Sequence, residues 1–358
     1  MVAACGDDGT GGSGGNPTTG GGGQGGNPMT GGAGGVAQSG GMGGMGGDVG
    51  GGPPTEVTVD AAGTDVDNPL DAAPDADGTN IYFTAVDAIN GAGVYRVAAS
   101  GGASTALYRG DPLASPFGVA VSTDNSLVFV ADAASVTGPA DADDAGQIFS
   151  LETAGGSPTT VSGTAGYKPI MLEVFNDGAV DHLFFSGHSP QGAPGVYRVP
   201  ANGGSVEVVR EGSPFVDPSG VVVATNGDLY VIDTNSLGAE LSSVYRITNA
   251  ANGNDTASEL VVGLTVGFPA GIALNKAEDT LYVSGFDPGP NTDVLIQIDI
   301  GTGTQSYIKG DADTDLGLFE ESAGLHRAKL NNTFAWADSK SPNSGSVARG
   351  TVFTIALP

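Results

Sequence analysis

The sequence predicts an all-β fold, a six-bladed β-propeller with four antiparallel strands per blade, and three observations predict it. The first is a recurring strand. Val94-Tyr95-Arg96-Val97 returns as Val196-Tyr197-Arg198-Val199 and Val244-Tyr245-Arg246-Ile247, with relaxed copies over 148–151, 295–298 and 352–355. The second residues of these six copies stand 48 to 57 apart, a period that belongs to propeller blades. The second observation is that each copy has companion strands at constant offsets. The third is an incomplete last repeat, together with an unassigned strand at the front of the folded region.

Each repeat opens with a strand of small residues behind Pro or Gly. It reads clearly over 117–121, 219–223, 270–274 and 323–326, and more weakly from Pro69 and Pro169. Small side chains suit strands that crowd towards a common axis, so these are placed innermost. Turn dipeptides such as Asp77-Gly78, Asp177-Gly178 and Asn226-Gly227 then lead into a second, apolar strand. Its six versions lie over 81–83, 128–130, 183–185, 229–231, 281–283 and 334–336. The Val-Tyr-Arg-Val copy is the third strand. A glycine turn such as Gly101-Gly102 or Gly203-Gly204 leads to a short alternating fourth strand, as over 205–209 and 259–262.

The last repeat stops after its third strand. Yet the folded region begins with the alternating Thr55-Glu56-Val57-Thr58-Val59-Asp60, which fits no complete repeat. A strand borrowed from the other end of the chain would close the ring and remove both open edges. Val57 and Val59 are therefore expected to pair with the strand over 352–355. Three segments result: 1–5, 6–54, and a propeller over 55–358.

At the front, Val2-Ala3-Ala4-Cys5 resembles the bacterial lipobox, in which small residues admit the signal peptidase before the modified cysteine. The resemblance implies a lipid on Cys5, with a signal peptide of which residues 1–5 keep only the remnant. Gly6, in place of an aspartate, points to the outer membrane of a bacterial cell envelope, on its periplasmic or surface side. Residues 6–54 hold 25 glycines in 49 positions and too little apolar surface to offset ordering. They are expected to form a disordered tether with a root-mean-square span of roughly 35–42 Å. No apolar run is long enough to span a bilayer as a helix, so membrane contact is expected through the lipid anchor only.

With 40 acidic and 12 basic residues the formal charge is −28. Such a polyanion repels phosphate backbones, which argues against nucleic acid as a partner. It suits cations and neutral or basic ligands. The single Cys5 excludes an intrachain disulfide. There is no GxSxG, no metal-binding histidine pair and no phosphate loop.

In a propeller, inner strands begin and second strands end on one rim, where function is expected. Two positions beyond each second strand stand Ala85, Asp132, Gly187, Asp233, Gly285 and Asp338. The carboxylates Asp132, Asp233 and Asp338 suit a hard cation such as Ca²⁺, or else each caps backbone N–H groups of its own loop. Asp311, Asp313 and Asp315 alternate as calcium-loop acids do, and a second acidic loop holds Asp141, Asp143 and Asp144. His326 replaces a small residue on an inner strand. It is either a catalytic base near Asp338 or a structurally satisfied imidazole.

Pro218-Ser219-Gly220-Val221-Val222-Val223, followed by Asp228-Leu229-Tyr230-Val231-Ile232-Asp233, resembles an NHL repeat. The chain over 55–358 is similar to six-bladed propellers of the NHL, YncE-like and SMP-30/gluconolactonase-like group. These families include lactonases, lyases and binding modules. The SMP-30-like lactonases use a glutamate, asparagines and an aspartate on one calcium ion at the channel mouth. The resemblance implies the fold rather than one activity, and the expectation is a monomeric, surface-anchored binding module with a protein or small-molecule ligand at the rim. Its alternative is a calcium-dependent lactone hydrolase or lyase.

Overall fold

The computed structural model describes residues 55–57, 59–87, 91–135, 146–236, 241–287, 292–310, 322–339 and 350–357. β1 (Thr55–Val57) and β2 (Val59–Gly63) come first. Blade one follows as β3 (Pro69–Pro74), β4 (Asn80–Asp87), β5 (Gly91–Ala98) and β6 (Thr105–Arg109). Blade two is β7 (Pro116–Val121), β8 (Leu127–Asp132), β9 (Gln147–Glu152) and β10 (Thr159–Thr160). Blade three is β11 (Lys168–Asn176), β12 (Asp181–His188), β13 (Pro194–Pro200) and β14 (Glu207–Glu211). Blade four is β15 (Pro218–Val223), β16 (Leu229–Asp233), β17 (Ser242–Ile247) and β18 (Ala257–Leu264). Blade five is β19 (Ile272–Leu274), β20 (Thr280–Asp287), β21 (Thr292–Asp299) and β22 (Gln305–Gly310). Blade six is β23 (Ser322–Arg327), β24 (Thr333–Asp338) and β25 (Thr351–Ala356), with β2 as its outer strand. The six sheets form the predicted propeller.

Apolar burial is divided among the joints between blades rather than gathered at one centre. Each adjacent pair of blades shares its own cluster of buried side chains. The Val-Tyr-Arg-Val strand explains how one blade feeds two joints, because alternate residues leave opposite faces of a sheet. Val94 enters the joint with blade two, while Tyr95 and Val97 enter the joint with blade six. Tyr95 stacks on Phe83 at 5.3 Å, and each such fully buried side chain contributes about 1.5–3 kcal/mol. In blades three and four the arginine of the motif lies over a second-strand aromatic ring. Arg246 sits 5.7 Å from the centre of Tyr230 and is ion-paired with Asp228. Arg198 sits 5.9 Å from Phe184 and pairs with Glu207.

Closure follows the expectation for Val59 and departs from it for Val57. Val59 lies opposite Ile355, Asp60 opposite Thr354 and Ala61 opposite Phe353, antiparallel in blade six. Val57 instead lies opposite Gly310, because β1 runs parallel to β22 as a fifth strand of blade five. Only one residue separates Val57 from Val59, and two residue steps span at most about 7 Å. The outer edges of blades five and six therefore meet at this point, and one stretch of chain pairs with both.

Candidate functional site on the propeller axis

The inner strands approach one another so closely that one position takes glycine in blades two, four, five and six, as Gly118, Gly220, Gly271 and Gly324. A Cβ on Gly271 would fall 2.3 Å from Leu325 N, and one on Gly324 would fall 1.8 Å from Asp71 Oδ1. Blade one sets Asp71 at the equivalent place, and its carboxylate occupies the space Gly324 leaves open. Two residues further along each inner strand, Ala73, Ala120, Val222 and Ala273 lie opposite Tyr82, Phe129, Tyr230 and Tyr282. Blade three sets Glu173 there, opposite Phe184. Blade six reverses the sizes and sets His326 opposite Ala335.

These departures meet on the axis. His326 Nε2 is 3.1 Å from Asp71 Oδ2, and His326 Nδ1 is 3.2 Å from Glu173 Oε2. Asp71 also accepts from Val119 N at 2.7 Å and Ala72 N at 2.8 Å. Lys329, at the turn after β23, pairs with Glu173 Oε1 and reaches Val174 O. Side-chain exposure is 5 % for His326, 0 % for Asp71 and 7 % for Glu173. Burial alone would depress the imidazole, but Asp71 and Glu173 outweigh it and hold His326 up at about 10. Burial would likewise raise Glu173, yet Lys329 and His326 hold it down at about 2. With both ring nitrogens facing carboxylates, His326 donates twice as an imidazolium. Two cations and two anions thus form a compensated network that ties blades one, three and six and, through Val119, blade two.

Beside this network remains a cavity of about 20 Å³, lined by Ala73, Asn125, Glu173, His326, Arg327 and Lys329 among others. Towards the end where inner strands begin, Phe117 and Phe268 meet edge to face at 5.6 Å. They come from blades two and five, which oppose each other in a ring of six.

Asp132, Asp233 and Asp338 sit in alternate blades, each fully buried. Asp132 accepts from Ala114 N, Ser115 N and Ala134 N at 2.8, 3.1 and 3.1 Å. Asp233 accepts from Val216 N at 2.6 Å, Asp217 N at 3.2 Å and Asn235 N at 3.3 Å. Burial pushes both carboxyls up, against the pull of those N–H groups. This is the loop-capping geometry. Odd-numbered blades use a hydroxyl one position earlier: Thr84 donates to Phe117 O, Ser186 to Ser219 O and Ser284 to Ala323 O. The main chain of Asp338 pairs with Ser322 and Thr351. Its carboxylate is not the partner of His326, which instead meets Asp71 and Glu173. Among the described residues no group of three or more His, Cys, Asp and Glu is arranged to hold a metal ion. Asp311, Asp313, Asp315, Asp141, Asp143, Asp144 and Cys5 lie outside the described residues.

Sequence reasoning missed Asp71 and Glu173, although a signal was present. The two inner strands that match their repeat poorly, those opening at Pro69 and Pro169, are the two that carry these acids.

The chain is a six-bladed β-propeller. No family model matches its sequence, and no curated protein matches it. Among solved structures it is similar to a gluconolactonase from Xanthomonas campestris, with a TM-score of 0.56 and 13% identity over 86% of this chain and 95% of that one. It is also similar to an α-L-arabinofuranosidase from Fusarium graminearum, with a TM-score of 0.52 and 9% identity over 84% and 97% of the two chains. TolB from Acinetobacter baumannii gives a TM-score of 0.50 and 13% identity over 67% of this chain, which spans 53% of TolB. At these identities the likeness is one of architecture, and chemistry has to be argued from the residues.

Proposed function

We propose that this protein is a binding module of a bacterial cell envelope, lipid-anchored through Cys5, that takes its ligand on the outer surfaces of the propeller. The observation that carries this reading is that side chains of the described residues fill the axis where the inner strands meet. Asp71, His326, Glu173 and Lys329 satisfy one another there, and the space left beside them, about 20 Å³, is the size of a single water. A substrate in the channel would first have to break a compensated buried ion network, which costs several kcal/mol. Asp132 and Asp233 are spent on backbone N–H groups, which supports their reading as loop caps over calcium ligation. The formal charge of −28 favours neutral or basic ligands.

The test is turnover against binding. Purified protein is incubated with aldonolactones, with and without millimolar calcium, and hydrolysis is followed by proton release. No calcium-dependent turnover is expected. Hydrolysis that needs calcium and is abolished by chelation would replace the binding reading with the lactonase one. Mass spectrometry of the native protein tests the anchor separately, and an unmodified Cys5 thiol would remove it.

A further inference from the structure

A groove of about 470 Å³ lies between blades two and three, where inner strands turn back into second strands. This is the face opposite the rim on which the sequence placed function. Its volume falls in the range of small-molecule sites, roughly 300–1,000 Å³. One wall is the turn carrying Thr123, Asp124 and Ser126, and the other is the turn carrying Asn176, Ala179 and Val180.

The walls are fixed to each other by Asp181. Its carboxylate accepts from Thr123 N at 2.9 Å, from Thr123 Oγ1 at 2.7 Å and from Asn176 Nδ2 at 2.7 Å. Asp124 is fixed in turn: Oδ1 accepts from Ser122 Oγ at 2.7 Å, Ser126 Oγ at 2.6 Å and Ser126 N at 3.0 Å. These donors hold its carboxyl down at about 2, so it stays an acceptor at every relevant pH. They engage only Oδ1, and Oδ2 accepts from no described protein donor. The exposed carboxamide of Asn202, also on the groove, bonds no described protein atom. Val180, 46% exposed, adds an apolar face next to Leu127.

The lining excludes most ligand classes. No Lys, Arg or His borders the groove, so an anion finds no counter-charge. One free carboxylate oxygen falls far short of the roughly six to eight oxygens that Ca²⁺ takes. A fully apolar ligand would strand the Asp124 and Asn202 polar groups. The uncharged ligand that fits these walls is a molecule with adjacent hydroxyls, for Asp124 and Asn202, and a C–H face, for Val180. We propose that this groove binds a neutral saccharide, with Asp124 Oδ2 and Asn202 engaging its hydroxyls and Val180 meeting its ring. The proposal rests on the binding-module reading in one respect: the sugar is held and not transformed.

The test is calorimetric titration of the whole protein with maltotriose, cellotriose, xylotriose, mannotriose and laminaritriose. At least one is expected to bind. Asn202→Ala should weaken that sugar about tenfold, and Ala179→Trp, which fills the groove from an exposed wall, should abolish binding. Circular dichroism and melting temperature confirm that both variants fold. If none of the five sugars binds the wild type, or if the bound sugar binds Ala179→Trp as well as wild type, the proposal falls and the binding-module reading stands. Sustained heat from conversion of the bound sugar, lost in Ala179→Trp, would instead keep the groove and overturn the binding-module reading.

Discussion

Replacing His326 by leucine removes the cation between Asp71 and Glu173 while roughly conserving volume. Asp71 is then left fully buried with two backbone N–H donors and no counter-charge, while Glu173 keeps Lys329. Removing one partner of a buried ion pair costs about 3–5 kcal/mol. Because Glu173 keeps a partner, the lower end of that range, about 3 kcal/mol, is expected at neutral pH. The pH dependence has a definite sign. His326 is raised from 6.5 to about 10 in the folded protein. Its contribution is therefore fully present below the unfolded value and lost as pH rises through about 10. On the acid side, Glu173 is held down at about 2 partly by His326, so without the imidazolium it protonates more readily and the variant recovers as pH falls. Urea denaturation of wild type and variant across this range should give a stability gap that is widest near neutrality and narrows at both ends. A gap below about 1 kcal/mol at neutral pH, or one independent of pH, would refute the paired imidazolium.

Truncation to residue 64 removes β1 and β2 and should lower the melting temperature by calorimetry, whereas truncation to residue 55 should not. Equal temperatures would contradict closure through Val59 and Ile355. Gly324→Ala places a Cβ 1.8 Å from Asp71 Oδ1, so Asp71 must move, and a loss of about 1–3 kcal/mol is expected in urea. An unchanged midpoint would show that the inner strands have room to spare. Asp132→Ala strands the N–H groups of Ala114, Ser115 and Ala134 and should cost about 1–3 kcal/mol. Asp132→Asn, which keeps an acceptor, should cost less, and the two variants are compared by their denaturation midpoints.

The blades were legible because each one repeats the same demands. A third strand must serve two joints, so Val94 and Tyr95 recur as types at a fixed period. An inner strand must be thin, so glycine and alanine recur at the axis. The axial network was not legible for the opposite reason: it occurs once. His326 meets Glu173 and Asp71 across 153 and 255 residues of sequence, and no local pattern records a contact that exists only after the ring closes. Asp338 looked like its partner because it is near in sequence, but the register sets it opposite Ser322, four residues along the inner strand from His326. Val57 was misplaced by the same kind of reasoning. An alternating run of six residues reads as one strand, whereas the meeting of two blade edges divides it between two sheets. Asp124 and Asn202 carry no sequence signal, since turn residues of their type abound in every blade.

The stitch between blades five and six has a consequence for biogenesis. Val59 leaves the ribosome long before Ile355, its partner across β25. Until synthesis reaches that far residue, the early strand has nothing to pair with, and the nascent ring carries two raw edges open to neighbouring chains. Protection by a chaperone, or delivery across a membrane before folding, would spare the protein that exposure.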